Sequence, residues 1–224
     1  MGSAYCVANG TVWELTQQNG IPEFHQREGD FQGPVTKVLA GFSFREGFYS
    51  LAMTESGQLL TNFSTDADLA LTGAQVTGIW TGLGLDVVRA GDTLFFRGAC
   101  DEAYCPMDVI AGDGYINFTS VDSFITDFAP MVTPFDPADV ADVLIGQGGT
   151  VFLLKNGSVF ALGDNARRRF CVDDSVLLVP THILDRVSRL ALGNGFLAFV
   201  AKDLPADVFV CGEFSDYSGT REMR

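Results

Sequence analysis

Few residues in this chain could perform chemistry, and their spacing matches no complete catalytic set. The sequence contains two histidines, His25 and His182, and has neither a glycine-rich phosphate loop nor a Gly-x-Ser-x-Gly turn. Carboxylate catalysis, for example by the adjacent Asp173 and Asp174, would need a deep pocket that raises a carboxyl pKa. Adjacent acids in a strand or loop usually face water instead. We therefore predict no catalytic residues and no enzymatic activity.

Two thiols, Cys100 and Cys105, are close enough in sequence to suggest a metal site. A structural zinc ion needs four ligands, usually in closely spaced pairs, and neither histidine forms such a pair with another candidate ligand. We therefore predict loop thiols, no metal and no cofactor. The five cysteines are an odd, scattered set, which favours free buried thiols in a reducing compartment over a disulfide framework. The expected location is the cytoplasm, with the nucleus or the cytoskeleton as alternatives.

A run of three arginines, Arg167, Arg168 and Arg169, opposes the overall charge. The chain has 14 basic and 28 acidic residues, a net charge of −14 at pH 7. Exposed charge runs are usually solvated, and these arginines could simply balance nearby acids such as Asp173 and Asp174. Alternatively, they could bind an acidic protein surface, because a guanidinium can hold a carboxylate through two hydrogen bonds. The three arginines are the candidate partner-binding residues.

Composition and charge restrict the class of partner. Hydrophobic residues make up 47% and aromatic residues 12% of the chain, which is ample for a packed core. The acidic excess disfavours direct binding to nucleic acid or anionic lipid, since such binding depends on basic residues. No segment approaches the roughly 18 apolar residues that a membrane helix needs. We therefore expect the partners to be other proteins, without direct contact to nucleic acid or a membrane.

The elements that must position these residues form an internal repeat. An apolar residue, two variable residues and an apolar stretch ending in glycine recur five times, 30 to 47 residues apart. The instances are residues 35–41, 76–82, 106–112, 140–146 and 187–193. Repeats of this length are typical of propellers and solenoids. A helical solenoid is excluded, because no stretch shows apolar residues at helical spacing.

A β-hairpin is predicted after most of these glycines. The plainest one turns at Asn156 and Gly157, since Asn-Gly between β-formers is the strongest short hairpin signal. Another, around Asn9 and Gly10, precedes the first repeat, and the weakest spans residues 115–128. Each unit is therefore predicted to contain a strand that ends in glycine, followed by two strands joined by a turn. The polar connection after them could carry a fourth strand. The predicted fold class is all-β: a β-propeller of about five to six short blades in a single domain, residues 1–224.

The repeat makes three further structural predictions. The glycines should occupy equivalent positions, and the residue three places before each should be buried. Those residues are Val38, Ile79, Val109, Val143 and Leu190. One blade should lack a strand, because no glycine-ended strand precedes the first hairpin and residues 215–224 are too polar to supply one. The propeller is then either open or incomplete, with an edge that a partner covers, or a closed ring with the N-terminal hairpin beside residues 196–211.

One repeat, residues 151–193, includes Ala161-Leu162-Gly163-Asp164-Asn165, a later Val179-Pro180-Thr181 and a valine-led strand that ends at Gly193. With these motifs it resembles one repeat of the regulator of chromosome condensation family. Residues 94–98 and 209–213 are similar to further copies of that family's strand ending in Trp-Gly, with the tryptophan replaced. The chain departs from the family at residues 167–170, where Arg-Arg-Arg-Phe stands for Gly-Gln-Leu-Gly, and in having five or six units instead of seven.

The leading function hypothesis is a non-enzymatic scaffold or adaptor whose loops bind proteins, as a subunit of a larger protein assembly. The family resemblance implies an alternative, a guanine-nucleotide exchange factor for a small GTPase. In the founding member a wedge-like insertion opens the nucleotide site, and no residues here match that wedge. An enzyme with carboxylate catalysis is the third hypothesis and would need the deep acidic pocket described above.

Overall fold

The structure is a computed structural model, and it describes most of the chain. The described residues are 4–18, 21–29, 31–43, 47–62, 64–65, 73–82, 84–99, 108–111, 114–117, 124–146, 149–165, 167–193, 195–216 and 219–223. These ranges contain β-strands and one 3-10 helix, Pro137–Asp139. Within them no helix has the length and hydropathy needed to cross a membrane.

The strands follow one another along the whole described chain. The first ten are β1 (Ala4–Ala8), β2 (Thr11–Gln18), β3 (Ile21–Gln26), β4 (Val35–Ser43), β5 (Gly47–Thr54), β6 (Leu59–Thr61), β7 (Ser64–Thr65), β8 (Val76–Thr81), β9 (Leu85–Ala90) and β10 (Thr93–Ala99). The others are β11 (Asp108–Ala111), β12 (Gly114–Asn117), β13 (Phe124–Met131), β14 (Val140–Gly146), β15 (Gly149–Leu154), β16 (Val159–Asp164), β17 (Val176–Leu184), β18 (Val187–Leu192), β19 (Phe196–Ala201), β20 (Phe209–Asp216) and β21 (Gly219–Met223).

These strands form five sheets of three or four antiparallel neighbours and one two-stranded sheet. The sheet orders are β1-β2-β3, β4-β5-β6-β7, β8-β9-β10-β13, β11-β12, β14-β15-β16-β17 and β18-β19-β20-β21. The all-β prediction and the fourth, outer strand of each complete unit are therefore confirmed. The chain divides into two compact units, Met1–Ala99 with Ile125–Pro130, and Cys100–Phe124 with Met131–Arg224. That residues 1–224 form a single domain stays a prediction.

The four complete sheets begin in the same way, which confirms the repeat. In each, the pairing register shifts directly after the first valine of the first strand, at Val35, Val76, Val140 and Val187. All four valines are buried. Their recurrence at one point of the ladder shows that the same supersecondary unit is built four times.

The repeat glycines also lie at equivalent points. Gly41 pairs with Tyr49 and Gly146 with Gly149, where the first strand turns into the second. Gly82 and Gly193 lie at the same point of their sheets. The amide of Gly82 donates to the carbonyl of Leu85, and the amide of Gly193 donates to the carbonyl of Phe196. The glycine prediction is thus confirmed at four positions, and Gly112 lies outside the described residues.

The burial prediction for residues three places before the glycines is confirmed at two of four described positions. Ile79 and Val143 are buried, whereas Val38 and Leu190 are only partly buried and pack against the edges of core clusters. The side chain of Val109 is outside the described part. The strongly buried residues lie mostly on the second and third strands, which have neighbours on both sides within their sheets.

The third repeat is different from the prediction. Residues 106–112 were expected to begin a blade with a hairpin over 115–128, yet β11 pairs with β12 in a separate two-stranded sheet. β13 instead pairs with β10 as the outer strand of the preceding sheet. The connection between the third and fourth strands of that sheet therefore contains its own short hairpin, and five sheets of propeller type remain.

As predicted, one sheet is short of a strand: among the described residues the first sheet has three strands, one fewer than each complete sheet. Its order is β1-β2-β3. The Asn9-Gly10 turn joins β1 to β2. These two strands therefore correspond to the second and third strands of a complete sheet, and the strand that would come first is the one not present in the described part of the sheet. β20 pairs with β21, so the expectation that residues 215–224 are too polar to supply a strand is wrong; the strand that they supply completes the last sheet and is not paired with the first. Whether the propeller is open or closed stays a prediction.

Turn residues connect each sheet to the next one within the two units. Asn9 and Gly10 both have positive φ, 53° and 76°, as the Asn-Gly signal requires. The carbonyl of Gly10 accepts a 2.9 Å hydrogen bond from the amide of Val35, the first residue of the following sheet. Gly57 and Gly157 accept equivalent bonds of 3.0 and 2.9 Å from the valines that begin the sheets after them. The turn at Asn156 and Gly157 is different. The amide of Gly157 donates to the carbonyl of Leu154, so the two central residues of this turn are Lys155 and Asn156.

Candidate functional site

The candidate partner-binding residues lie in the loop between β16 and β17, residues 165–175, here called the arginine loop. The amide of Asn165 donates a 2.8 Å hydrogen bond to the carbonyl of Ser175, which closes the loop at its base. Arg168 and Cys171 have positive φ, 52° and 64°, so the chain reverses sharply twice within a few residues. The loop is therefore a compact, tightly turned segment.

A buried asparagine holds the arginine loop together from inside. The side chain of Asn165 is 1% exposed. Its Nδ2 donates to the carbonyls of Val172 and Asp174, at 2.9 and 2.6 Å, and its Oδ1 accepts from the amide of Phe170 at 2.8 Å. One side chain thus satisfies three backbone groups that would otherwise lack partners in the interior. An asparagine is suited to this because its amide both donates and accepts.

A disulfide attaches the arginine loop to the last sheet. Cys171 is bonded to Cys211 of β20, with the two Cα atoms 5.1 Å apart. The expectation that the cysteines are free buried thiols is therefore wrong for this pair, because folding brings together two residues that are distant in sequence. Cys6 is free and exposed instead of buried. Cys100 and Cys105 lie outside the described residues.

The structure separates the three arginines into two environments. Arg167 and Arg168 are exposed, and Arg168 forms a long 3.9 Å ion pair with Asp173, the acid that the sequence placed nearby. Arg169 is buried, 3% exposed, and its Nε donates a 2.9 Å hydrogen bond to the carbonyl of Asp164. Only two members of the run are therefore presented at the surface, and the third belongs to the interior.

The buried arginine explains the departure from the family motif. The Arg169 guanidinium lies 4.8 Å from the ring centre of Phe170, which is itself fully buried. Both side chains fill the space next to Gly149, where a Cβ atom would approach them to 2.7 and 2.5 Å. Burial lowers the pKa of Arg169, and the charge of Asp164 opposes that change. Arg169 thus replaces a leucine and Phe170 replaces a glycine, and both side chains are accommodated in the interior beside Gly149.

Apolar residues continue the exposed surface from the arginine loop onto β17. Val176, Leu178 and Val179 are 39, 46 and 40% exposed, whereas Leu177 between them is buried in the core. β17 is the outer strand of its sheet. The pairing of Val176 with Asp164 places this apolar segment directly at the base of the arginine loop.

A second polar group of residues is buried in the other unit. Asp86 of β9 is 2% exposed and accepts a 2.5 Å hydrogen bond from the hydroxyl of Tyr49. Arg97 of β10 forms a 3.2 Å ion pair with the other carboxylate oxygen of Asp86 and donates to Thr61 at 3.1 Å. The Arg97 guanidinium also lies 4.3 Å from the ring centre of Phe128 on β13. This group joins strands of two neighbouring sheets.

Burial dominates the ionisation of this group. It raises the pKa of the Tyr49 hydroxyl, and the negative charge of Asp86 raises it further. Burial also raises the pKa of Asp86, while its hydrogen bond from Tyr49 acts in the opposite direction. Each carboxylate oxygen of Asp86 accepts a hydrogen bond from a protein donor, Tyr49 or Arg97, so the arrangement suits cohesion between sheets.

Sequence reasoning missed both Asn165 as the loop anchor and the Tyr49–Asp86–Arg97 group. A usable signal existed for the second, because Asp86 and Arg97 each lie next to runs of apolar residues in predicted strands, Val87-Val88 and Leu94-Phe95-Phe96. Charged residues in such strands are normally paired. The positions of their partners depend on how the sheets pack, which the repeat pattern does not contain. Among the described residues, no cluster of histidine, cysteine and acidic side chains could hold a metal ion.

Comparisons with known proteins agree with this architecture. No family model matches the chain, and no curated protein matches it in sequence. Human WBSCR16 superposes with a TM-score of 0.65 at 17% identity, over 94% of this chain and 59% of its own. Yeast RCC1 (Prp20) bound to Kap60 gives 0.66 at 12% identity, over 94 and 54%. Prp20p from Saccharomyces cerevisiae, described with its binding properties to Gsp1p and histones, gives 0.66 at 12% identity, over 94 and 56%.

The class of fold follows from the sheets and these likenesses together. The chain is an all-β protein of the β-propeller class. Its repeats have the fold of the regulator of chromosome condensation proteins, which confirms the resemblance found in residues 151–193 at the level of structure. The chain spans little more than half the length of these relatives, 54 to 59%.

Proposed function

We propose that this chain is a protein-interaction scaffold that works without catalysis, as a subunit of a larger protein assembly. The observation that carries the proposal is the arginine loop. Arg167 and Arg168 are exposed on a loop that is fixed by Asn165 and by the Cys171–Cys211 disulfide. A rigid loop loses little conformational entropy when it binds, so it is a better recognition element than a mobile one.

Charge contrast supports an acidic partner surface. Two guanidinium groups project from a protein whose net charge is −14. An acidic patch on a partner is repelled by most of such a surface and attracted near a local basic group. The arginine loop therefore gives specificity in addition to affinity. The fold likeness to yeast RCC1 (Prp20), which has been seen bound to Kap60, is compatible with a role in protein assembly.

Copurification with mass spectrometry tests this proposal. The tagged chain and the R167E/R168E variant are isolated from the same cells, and their bound proteins are compared. The matched control is R186E/R189E, because both residues are exposed, lie outside the arginine loop (Arg186 directly before β18 and Arg189 within it) and give the same change in net charge. We expect the first variant to lose one or more partners that the control retains. Equal partner sets for both variants would contradict the assignment.

A second candidate function is guanine-nucleotide exchange on a small GTPase. It is favoured by the fold likeness to Prp20p, which was described with its binding properties to Gsp1p and histones. The test is release of a fluorescent guanine nucleotide from a panel of GTPases, with heat-denatured chain as the control. Accelerated release from one GTPase at substoichiometric chain would support exchange activity, and uniform spontaneous rates over the panel would contradict it.

A further inference from the structure

Four segments of the sequence have the form that N-linked glycosylation requires, Asn-x-Ser/Thr with any residue except proline in the middle. They begin at Asn9, Asn62, Asn117 and Asn156. The chain has seven asparagines and 28 serines and threonines in 224 residues, so composition alone would give about one such segment. These segments are therefore more frequent than chance pairing of the residue types explains.

Two of the four asparagines lie on exposed hairpin turns. Asn9 is in the turn between β1 and β2, Asn156 is in the turn between β15 and β16, and both are exposed. In each turn the carbonyl of the following glycine accepts a 2.9 Å hydrogen bond from the next sheet. The turn backbone therefore contacts the fold, while the asparagine side chain is left at the surface. Asn62 is different, because its Oδ1 accepts a 3.0 Å hydrogen bond from the amide of Ser50.

The side chain of Asn156 has its amide nitrogen available. Its Oδ1 accepts a 2.8 Å hydrogen bond from the amide of Ser158. Nδ2, the atom that would carry a glycan, has no hydrogen-bond partner in the part of the chain that the structure describes. The 2.7 Å hydrogen bond from Lys202 goes to the backbone carbonyl of Asn156. A glycan on Nδ2 would therefore replace none of these described hydrogen bonds.

The hydroxyl residue two places after Asn156 is not explained by the turn. Ser158 bonds to Asn156 through its backbone amide, which every residue except proline has. Asn-Gly pairs also occur at residues 19–20 and 194–195, and there the next residue is Ile21 or Phe196. Asn-Gly in this chain is therefore not always followed by a hydroxyl residue, and the hydroxyl is a separate feature of the two exposed turns.

The Cys171–Cys211 disulfide is an independent observation that points to the same chemistry. Disulfides form and persist in oxidising compartments, whereas cytosolic thiols are kept reduced. N-linked glycosylation is a modification of secreted proteins. The expectation of a cytoplasmic location depended on free thiols, and this pair does not meet that condition. The disulfide and the two exposed turns are therefore consistent with one cellular route.

We propose that this chain passes through an oxidising secretory compartment and carries N-linked glycans on Asn9 and Asn156. In the glycan transfer, Nδ2 of the asparagine forms a bond to the anomeric carbon of an oligosaccharide, and the bond from that carbon to a polyprenyl diphosphate carrier breaks. The carrier leaves with the bonding electron pair, and the asparagine nitrogen releases one proton. The Cys171 and Cys211 thiols lose two protons and two electrons to the disulfide of an oxidoreductase, which becomes a dithiol.

Deglycosylation in water labelled with heavy oxygen tests both sites. The chain is isolated from its own cells with N-ethylmaleimide present, denatured and treated with peptide N-glycosidase, which converts a glycosylated asparagine to aspartate with one heavy oxygen atom. Trypsin then releases residues 156–167, which include Asn165 as an internal control without a hydroxyl residue two places on. A sample without the glycosidase corrects for spontaneous deamidation, which is fast at Asn-Gly. We expect glycosidase-dependent label at Asn9 and Asn156 and none at Asn165.

Two substitutions of Ser158 separate glycosylation from the turn. S158A retains the Asn-Gly pair and the backbone amide, and it should lose the label at residue 156 together with one step of gel mobility. S158T retains the hydroxyl and should keep both. Label at residue 156 that persists in S158A would overturn the assignment, because it would not depend on the hydroxyl.

The remaining outcomes would also overturn the proposal. Absence of glycosidase-dependent label at Asn9 and Asn156 would exclude glycans at the two turns. N-ethylmaleimide attached to both Cys171 and Cys211 would show that the chain is kept in a reducing compartment.

Discussion

The Cys171–Cys211 disulfide makes a quantitative prediction about stability. It joins residues 40 positions apart in the sequence. Cross-linking a loop of about that length removes chain entropy from the unfolded state worth about 4 kcal/mol at room temperature. The C171S/C211S variant, whose serines are close in size to the native thiols, should therefore lose about 4 kcal/mol of unfolding free energy. This is a large part of the total stability of a typical domain.

Urea denaturation under non-reducing conditions measures this loss. With a slope of about 2 kcal/mol/M, the midpoint should fall by about 2 M. Dithiothreitol should lower the midpoint of the native chain by the same amount and leave the double variant unchanged. The control is C6S, because Cys6 is free and exposed and its replacement should cost less than about 0.5 kcal/mol. Equal midpoints for the native chain and the double variant, or free thiols at both positions in the purified chain, would refute the reasoning.

Three further substitutions test the interior. N165A leaves three buried backbone groups without their partner and should cost about 3 kcal/mol, with faster amide exchange at Phe170 than in the native chain. Y49F removes a hydrogen bond to a buried carboxylate and should cost about 2 kcal/mol in urea titrations at neutral pH. Burial raises the pKa of Tyr49, so above pH about 10 the folded state keeps a proton that the unfolded state releases. The free energy of unfolding of the native chain should therefore fall as the pH rises above this value. Y49F has no hydroxyl to titrate and should lack this contribution to the fall. V143A should cost about 2 kcal/mol by calorimetry, since Val143 is buried, and an unchanged melting temperature would contradict its assignment to the core.

The regular part of the fold was predictable because each unit repeats a local pattern. The buried valine that begins each complete sheet, and the glycine six residues after it, are spaced alike in all four, so the period is visible in sequence. The error in the third repeat has a clear physical origin. Residues 108–117 do form a hairpin, but the strand that follows it, β13, pairs with β10. Pairing between strands that are distant in sequence leaves no local signal.

That the arginine run lies in a loop was predictable, but the geometry of that loop was not, and its role in partner binding stays a prediction. A run of three arginines identified the loop, yet the interior position of Arg169 depends on the space that Gly149 leaves for it. The disulfide was not predictable from the cysteine count, because Cys171 and Cys211 meet only when two neighbouring sheets pack together. In each case the missing information was a long-range contact.

The hydrogen bonds accepted by Gly10, Gly57 and Gly157 give folding a direction along the chain. In each bond the accepting carbonyl precedes the donating valine amide in sequence, so a ribosome makes the acceptor first. A completed turn is then already present when the first strand of the next sheet emerges, and that strand can dock on it at once. Each such bond joins a sheet only to its neighbour. The free energy of folding is therefore approximately a sum of terms for the single sheets and terms for contacts between neighbouring sheets. Loss of one glycine–valine hydrogen bond, with the turn itself intact, should therefore weaken the attachment of the sheet made after it, whose first strand begins at that valine.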